Sequence, residues 1–145
     1  MIAYFDSSAL FKLFLPEPGS DEALLIWGSG IPRVTSRLSH AELACALGAA
    51  VRRGRVDRPA AGVVDGTFLR RNADLIEADD RIVTGAAALG VAHGLRGIDA
   101  IHVSSALSLR EFDPLVVSWD VRQRAAARAE GLPIYPEETT TAALR

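Results

Sequence analysis

The chain has 145 residues, 49% hydrophobic and 23% charged, with 16 basic against 18 acidic side chains and a net charge of −2. Those values suit one soluble globular domain that can hold a core without staples. They exclude a basic field over the whole molecule, so any contact with nucleic acid has to come from a local patch.

The lone cysteine, Cys45, rules out a disulfide framework and fits a reducing compartment. Set in an alanine-rich run, it is expected to be a small buried apolar group. No apolar run approaches the ~18 residues needed to span a bilayer. The opening "MIAYFDSSALFKLFL" has no basic leader and carries Asp6 in its apolar part, unlike a secretory signal. The expected location is the cytoplasm.

"IAYF" (2–5) is a short run of strand formers. "SSALFKLFL" (7–15) shifts to helical period and stops at Pro16. "PEPGSDEALLIWGSG" predicts a turn, a helix capped at Ser20 or Asp21, and a stop near Gly28–Gly30. "PRVTS" (32–36) reads as a strand. Residues 39–54 predict a helix with Ser39 as N-cap, Glu42 three places on and a stop at Gly54.

A second helix of this hairpin is expected from Pro59 towards Arg71, then a strand in "ADLIEA". "DDRIVTGAAALGVAHG" predicts a helix, and "RGIDAIHVSSAL" (96–107) another, opened by Asp99, with an apolar face through Ile98, Ile101, Ala106 and Leu109. "PLVVSW" (114–119) is a continuous apolar run, the pattern of a strand buried on both faces. A helix over 121–131 and an edge strand in "LPIY" (132–135) complete the pattern. Strands alternating with helices predict an α/β sandwich around a mainly parallel sheet. One domain over 1–136 is expected, with a loosely held tail over 137–145.

In such a sheet, ligands gather at the carboxyl ends of the strands. Asp6 and Asp120 each follow a predicted strand there. If those strands are neighbours, both carboxylates face one crevice. Aspartate is also a favoured N-cap, and Asp6, Asp99 and Asp120 all stand at helix starts, so capping alone explains each of them singly. Glu42 lies one turn from Leu38, Cys45, Ala46 and Ala49. It either completes a capping box with Ser39 or is a partly buried carboxylate that needs a partner.

Four carboxylates in one crevice raise one another's pKa values, and a divalent cation removes that difficulty. An oxygen-only donor set favours Mg²⁺ or Mn²⁺. Such an ion polarises a phosphoryl oxygen and acidifies a bound water, which suits phosphodiester hydrolysis. No G-x-G-x-x-G follows the first strand, no Gly-Lys-Ser/Thr is present, and His40, His93 and His102 lack zinc-site spacing. His102 reads as a core histidine or a support for Asp99 rather than a base.

"YFDSSALFKLF", "SHAELACAL", "RGIDAIHVSSAL" and "VVSWDVRQRAAARAEGLPIY" resemble, in order, the motifs of the PIN domain, and most of all the VapC-like toxins of bacterial toxin–antitoxin pairs. The likeness runs over nearly the whole chain. It implies a three-layer α/β/α sandwich acting as a metal-dependent endoribonuclease. On this sequence the acidic cluster is Asp6, Glu42, Asp99 and Asp120. Asp6 and Asp99 would bind Mg²⁺ or Mn²⁺, with Glu42 and Asp120 joining directly or through water and positioning the attacking water.

Ser118 matches the hydroxyl residue two places before the last acid, and strand alternation keeps it on the side of Asp120. Ser118 and Ser7 are assigned supporting roles; Ser8 is a further hydroxyl after the first acid. Trp119 departs from the small residue often found there and is expected to point away and pack. The resemblance also implies a homodimer blocked by a VapB-like antitoxin.

Arg52, Arg53, Arg55 and Arg58 cluster at the hairpin, and Arg122, Arg124 and Arg128 on the late helix. They read either as a solvated face or as contacts to phosphate or a partner. Single-stranded or looped RNA suits a crevice that must admit a bent backbone. Two other readings remain: an α/β binding module without catalysis, in which the acids only cap helices, and a receiver-type phosphoacceptor. The second lacks its lysine, because Lys12 is the only one and sits in the first helix.

Overall fold

A computed structural model describes residues 1–137. Most of the tail expected over 137–145 therefore lies outside the described residues. The chain forms β1 (Ile2–Phe5), α1 (Ser7–Phe11), α2 (Ser20–Trp27), β2 (Arg33–Ser36), α3 (Ser39–Arg52), α4 (Thr67–Asn72) and β3 (Asp74–Ile76). There follow α5 (Asp80–His93), α6 (Gly97–Leu107), a 3-10 turn (Arg110–Phe112), β4 (Pro114–Val117), α7 (Val121–Ala129) and β5 (Ile134–Tyr135).

Among the described residues the five strands make one sheet in the order β3-β2-β1-β4-β5, every pair parallel. β1 lies at the centre, and the order reverses there: the chain runs outward through β2 and β3, then returns to β4 on the other side. Such a reversal opens a crevice at the carboxyl ends of the two strands that flank it. Phe5 pairs with Val117, so β1 and β4 end level with each other. Asp6 and Asp120 follow those ends.

Alternation along the strands builds the layers. Ala3 and Phe5 pack with Leu10, Leu43, Leu47 and Leu69, which places α1, α3 and α4 on one face. Tyr4 and Val116 pack with Ala106 and Ala127, which places α6 and α7 on the other. The α/β/α sandwich expected from the sequence is present. Helices cover β1 from both sides, so its apolar run is continuous rather than alternating.

Local differences from expectation have local causes. α1 stops at Phe11 rather than Leu15, because the next bonds tighten to Leu13 N–H on Leu10 and Phe14 N–H on Phe11. The helix expected from Pro59 shortens to Thr67–Asn72, since Gly62 and Gly66 take φ of +80° and +74°. α2 is entered through Gly19 at φ +92°, not capped by Ser20 or Asp21. A Cβ on Gly19 would stand 2.4 Å from the Trp119 indole nitrogen, so close packing and the turn both require glycine there.

The capping box does not form: Ser39 lies inside the helix and meets Thr35 Oγ1 at 2.7 Å, while Leu38 occupies the cap position. Cys45 is exposed, two places off the buried stripe Leu43, Leu47 and Ala50. α6 buries Asp99, Ala100, His102, Val103 and Ala106, whereas Ile98 is exposed; the inward face is set by the site rather than by hydropathy.

Candidate active site

Asp6 caps α1 and is fully buried. Its Oδ1 accepts from the Ala9 N–H at 2.9 Å and from Ser8 Oγ at 2.7 Å, and its Oδ2 accepts from Ser118 Oγ at 2.6 Å. Burial pushes the Asp6 carboxyl above the usual carboxylate range, against the pull of His102 and of these donors. Neutral donors satisfy the oxygens but supply no opposite charge. Ser118 Oγ also accepts the Asp120 N–H at 3.0 Å, and Ser8 Oγ accepts the Trp119 N–H at 2.9 Å. Two hydroxyls therefore tie the ends of β1 and β4 together around one carboxylate.

Glu42, in the first turn of α3, is half-buried. Its Oε1 lies 2.6 Å from His102 Nε2, and its Oε2 accepts from Ser7 Oγ at 2.9 Å. The buried-carboxylate reading of Glu42 thus stands. His102 Nδ1 lies 2.9 Å from the Tyr4 hydroxyl. Burial pulls the His102 pKa down, but the bond to Glu42 and the fields of Asp6, Glu42 and Asp99 together hold it above the ordinary value. His102 is therefore a buried support with Glu42 as its carboxylate partner, not Asp99 as expected from helix spacing.

Asp99 is not the cap of α6: Arg96 holds that position and Asp99 lies in the first turn. Its carboxylate takes Gln123 Nε2 on Oδ1 at 3.0 Å and Arg96 Nε on Oδ2 at 2.9 Å. Asp120 does cap its helix, accepting the Gln123 N–H on Oδ1 at 2.8 Å. Gln123 thus joins the two aspartates, its backbone on one and its side chain on the other.

The four acids act on two shared basic groups, His102 and Arg96. Asp6, Glu42 and Asp99 act on His102, and Asp99, Asp120 and Glu42 act on Arg96. Above them opens a groove of about 610 Å³ lined by Ser7, Ser8, Glu42, Arg96, Trp119 and Asp120, among others. Trp119 packs edge-on against Tyr135 as expected, yet it lines the same groove as Asp120 rather than turning from it. Lys12 is held by Glu17 Oε1 at 2.8 Å and the Pro18 carbonyl at 2.7 Å, so it is not free to serve a phosphoaspartate.

The oxygen-only donor set fits a hard divalent ion. Among the described residues, however, no three His, Cys, Asp or Glu side chains are placed to hold an ion between them. This arrangement still suits Mg²⁺, which keeps several waters and takes only one or two carboxylates.

Sequence reasoning missed Arg96 and Gln123. Arg96 had a readable signal, an arginine three places before Asp99 on one helix. Gln123 had none, because its contact crosses between two helices. Of the basic clusters, Arg55 reaches Glu17 at 3.5 Å on the groove wall, and Arg124 donates to the Ser118 carbonyl at 3.2 Å.

The chain is 32% identical over 139 residues to Ribonuclease VapC49 of Mycobacterium tuberculosis, covering 94% of this chain and 96% of that protein. It superposes on VapC20 of the same organism, a toxin described as cleaving the sarcin-ricin loop, with a TM-score of 0.61 at 17% identity, covering 86% and 94% of the two chains. It superposes on the VapBC2 structure from Rickettsia felis with a TM-score of 0.61 at 11% identity, covering 92% and 97%. At such identities the two structures speak for the fold alone. The PIN domain family matches residues 3–129, and with the sequence likeness to VapC49 this shows that the chain belongs to the PIN domain family, in its VapC branch.

Proposed function

We propose that the protein is a Mg²⁺- or Mn²⁺-dependent endoribonuclease acting as the toxin of a toxin–antitoxin pair. The observation that carries this is the fully buried Asp6, whose oxygens meet only neutral donors, among them Ser8 of a groove that Glu42 and Asp120 also line and whose Arg96 holds Asp99. A buried carboxylate with no formal partner is costly, and a divalent ion offsets that cost. Asp6 and Asp99 would hold the ion, with Glu42 and Asp120 joining directly or through water. Bound there, the ion would polarise a phosphoryl oxygen and acidify a water.

The chain's own residues do the positioning. Ser8 and Ser118 fix both oxygens of Asp6. Ser7 and His102 fix Glu42 so that it faces the groove, where it can orient the attacking water. Asp120 lines the groove wall at the start of α7. An open groove admits a splayed, single-stranded or looped RNA better than a stiff duplex. The name of VapC49 supports RNA as substrate, and the VapBC2 structure supports a VapB-like antitoxin as partner; a homodimer of the chain belongs to the same proposal.

One observation favours a binding module without catalysis: each of the four carboxylates already accepts a hydrogen bond within the chain. Asp6→Asn separates the two readings, because asparagine caps a helix as well as aspartate does. A panel of structured RNAs is incubated with parent and variant in Mg²⁺, Mn²⁺ or chelator. The parent is expected to cut only with metal, and the variant at least about a hundredfold more slowly. Equal cutting by both, or none by the parent, overturns the proposal.

A further inference from the structure

Asp99 is held by two unlike arms. Gln123 donates to Oδ1 and is 3% exposed, locked between α6 and α7. Arg96 donates to Oδ2 through Nε alone, and its side chain is 75% exposed. Among the described residues neither terminal nitrogen of Arg96 has a hydrogen-bond partner. Asp99, Asp120 and Glu42 all attract its guanidinium, which lines the groove beside them. Arg96 is the cation that now faces this acidic cluster from the solvent side.

Resting on the metal-dependent reading above, we propose that Arg96 is an exchangeable counter-ion: it holds the Asp99 oxygen that the divalent ion takes and, once displaced, binds a phosphate of the RNA strand. A single-point pair with an exposed arm is weakly held, because water screens it and the side chain regains its freedom on release. A divalent ion carries twice the charge at the same oxygen. The backbone of Arg96 is fixed by the Ala100 N–H on its carbonyl at 2.9 Å, so the released side chain stays at the groove's lip. Its planar fork suits a phosphate there. Gln123 meanwhile keeps Asp99 in place through the exchange.

The test is Arg96→Gln in the full chain, a neutral side chain of similar length at an exposed position. Mn²⁺ alone, titrated calorimetrically without RNA, is expected to bind the variant about two- to fivefold more tightly than the parent, since its competitor is gone. A non-cleavable 2′-O-methyl RNA should bind the variant more weakly, with the slope of log affinity against log salt smaller by about 0.7. Unchanged or weaker Mn²⁺ binding by the variant, or an unchanged salt slope, overturns the inference. A parent that binds no Mn²⁺ and cuts no RNA overturns the metal-dependent reading and this inference with it. A parent that does both while Arg96→Gln behaves identically overturns this inference alone.

Discussion

Asp6 is fully buried and surrounded by two hydroxyls and a backbone N–H, whereas Asp99 is 5% exposed and shares its carboxylate between a buried amide and a guanidinium in solvent. Asp6 follows β1, the central strand of the sheet, which ends level with its neighbour β4. Asp99 hangs from the first turn of α6, where a loop becomes a helix. One half of the site is built to hold a buried carboxylate still among neutral donors, and the other to change partners. Asp120 links them, giving its N–H to Ser118 and accepting that of Gln123.

The largest effect that tests this contrast is expected from Asp6→Asn. Besides the loss of cleavage, the variant should melt higher than the parent in chelator, because a buried neutral amide replaces a buried charge and the Ser118 hydroxyl can turn to accept from it. Differential scanning calorimetry measures this; a lower melting temperature would mean that the fold already offsets the Asp6 charge.

Next comes Ser118→Ala. It removes a hydrogen bond to a carboxylate and leaves the Asp120 N–H without its acceptor, for a loss of about 1.5–3 kcal/mol in urea unfolding. Cleavage should drop about 10- to 100-fold, as when a support of a metal ligand is removed. A variant of parental stability would show that the rigid half does not depend on this hydroxyl.

The smallest effect is expected from Gln123→Ala, about 1–3 kcal/mol in unfolding and about tenfold in cleavage, since Arg96 still reaches Asp99. The double variant with Ser118→Ala sharpens the comparison. If the halves are independent, the two losses in stability add within about 0.5 kcal/mol. A larger coupling would mean that Asp120 transmits strain between them.

Much of the frame was legible in the chain. "IAYF" read as a strand from its strand formers and "PLVVSW" from its uninterrupted apolar run, although β4 ends at Val117, two residues short of Trp119. Asp6 and Asp120 were legible as strand-end acids for the same reason. Glu42 stood out as a carboxylate among alanines and a leucine, although its partner could not be read. The helix start read at Asp99 lies three places earlier, because a helix start is fixed by backbone geometry, and Arg96 occupies that position. The shortened α1 and α4 were missed because hydrophobic spacing continues through turns that glycine conformation and tightened hydrogen bonds interrupt.

The sequence by itself determined the alternation of strands and helices, the central strands and the acids that end them, since these follow from local spacing and from which side chains water rejects. Only the tertiary structure decided the distant partners that Asp6, Glu42 and Asp99 hold. Ser118 reaches Asp6 across 112 positions and His102 reaches Glu42 across 60. A hydrogen bond works only over a narrow range of distance and angle, and packing between layers sets that placement. No spacing along one chain encodes it.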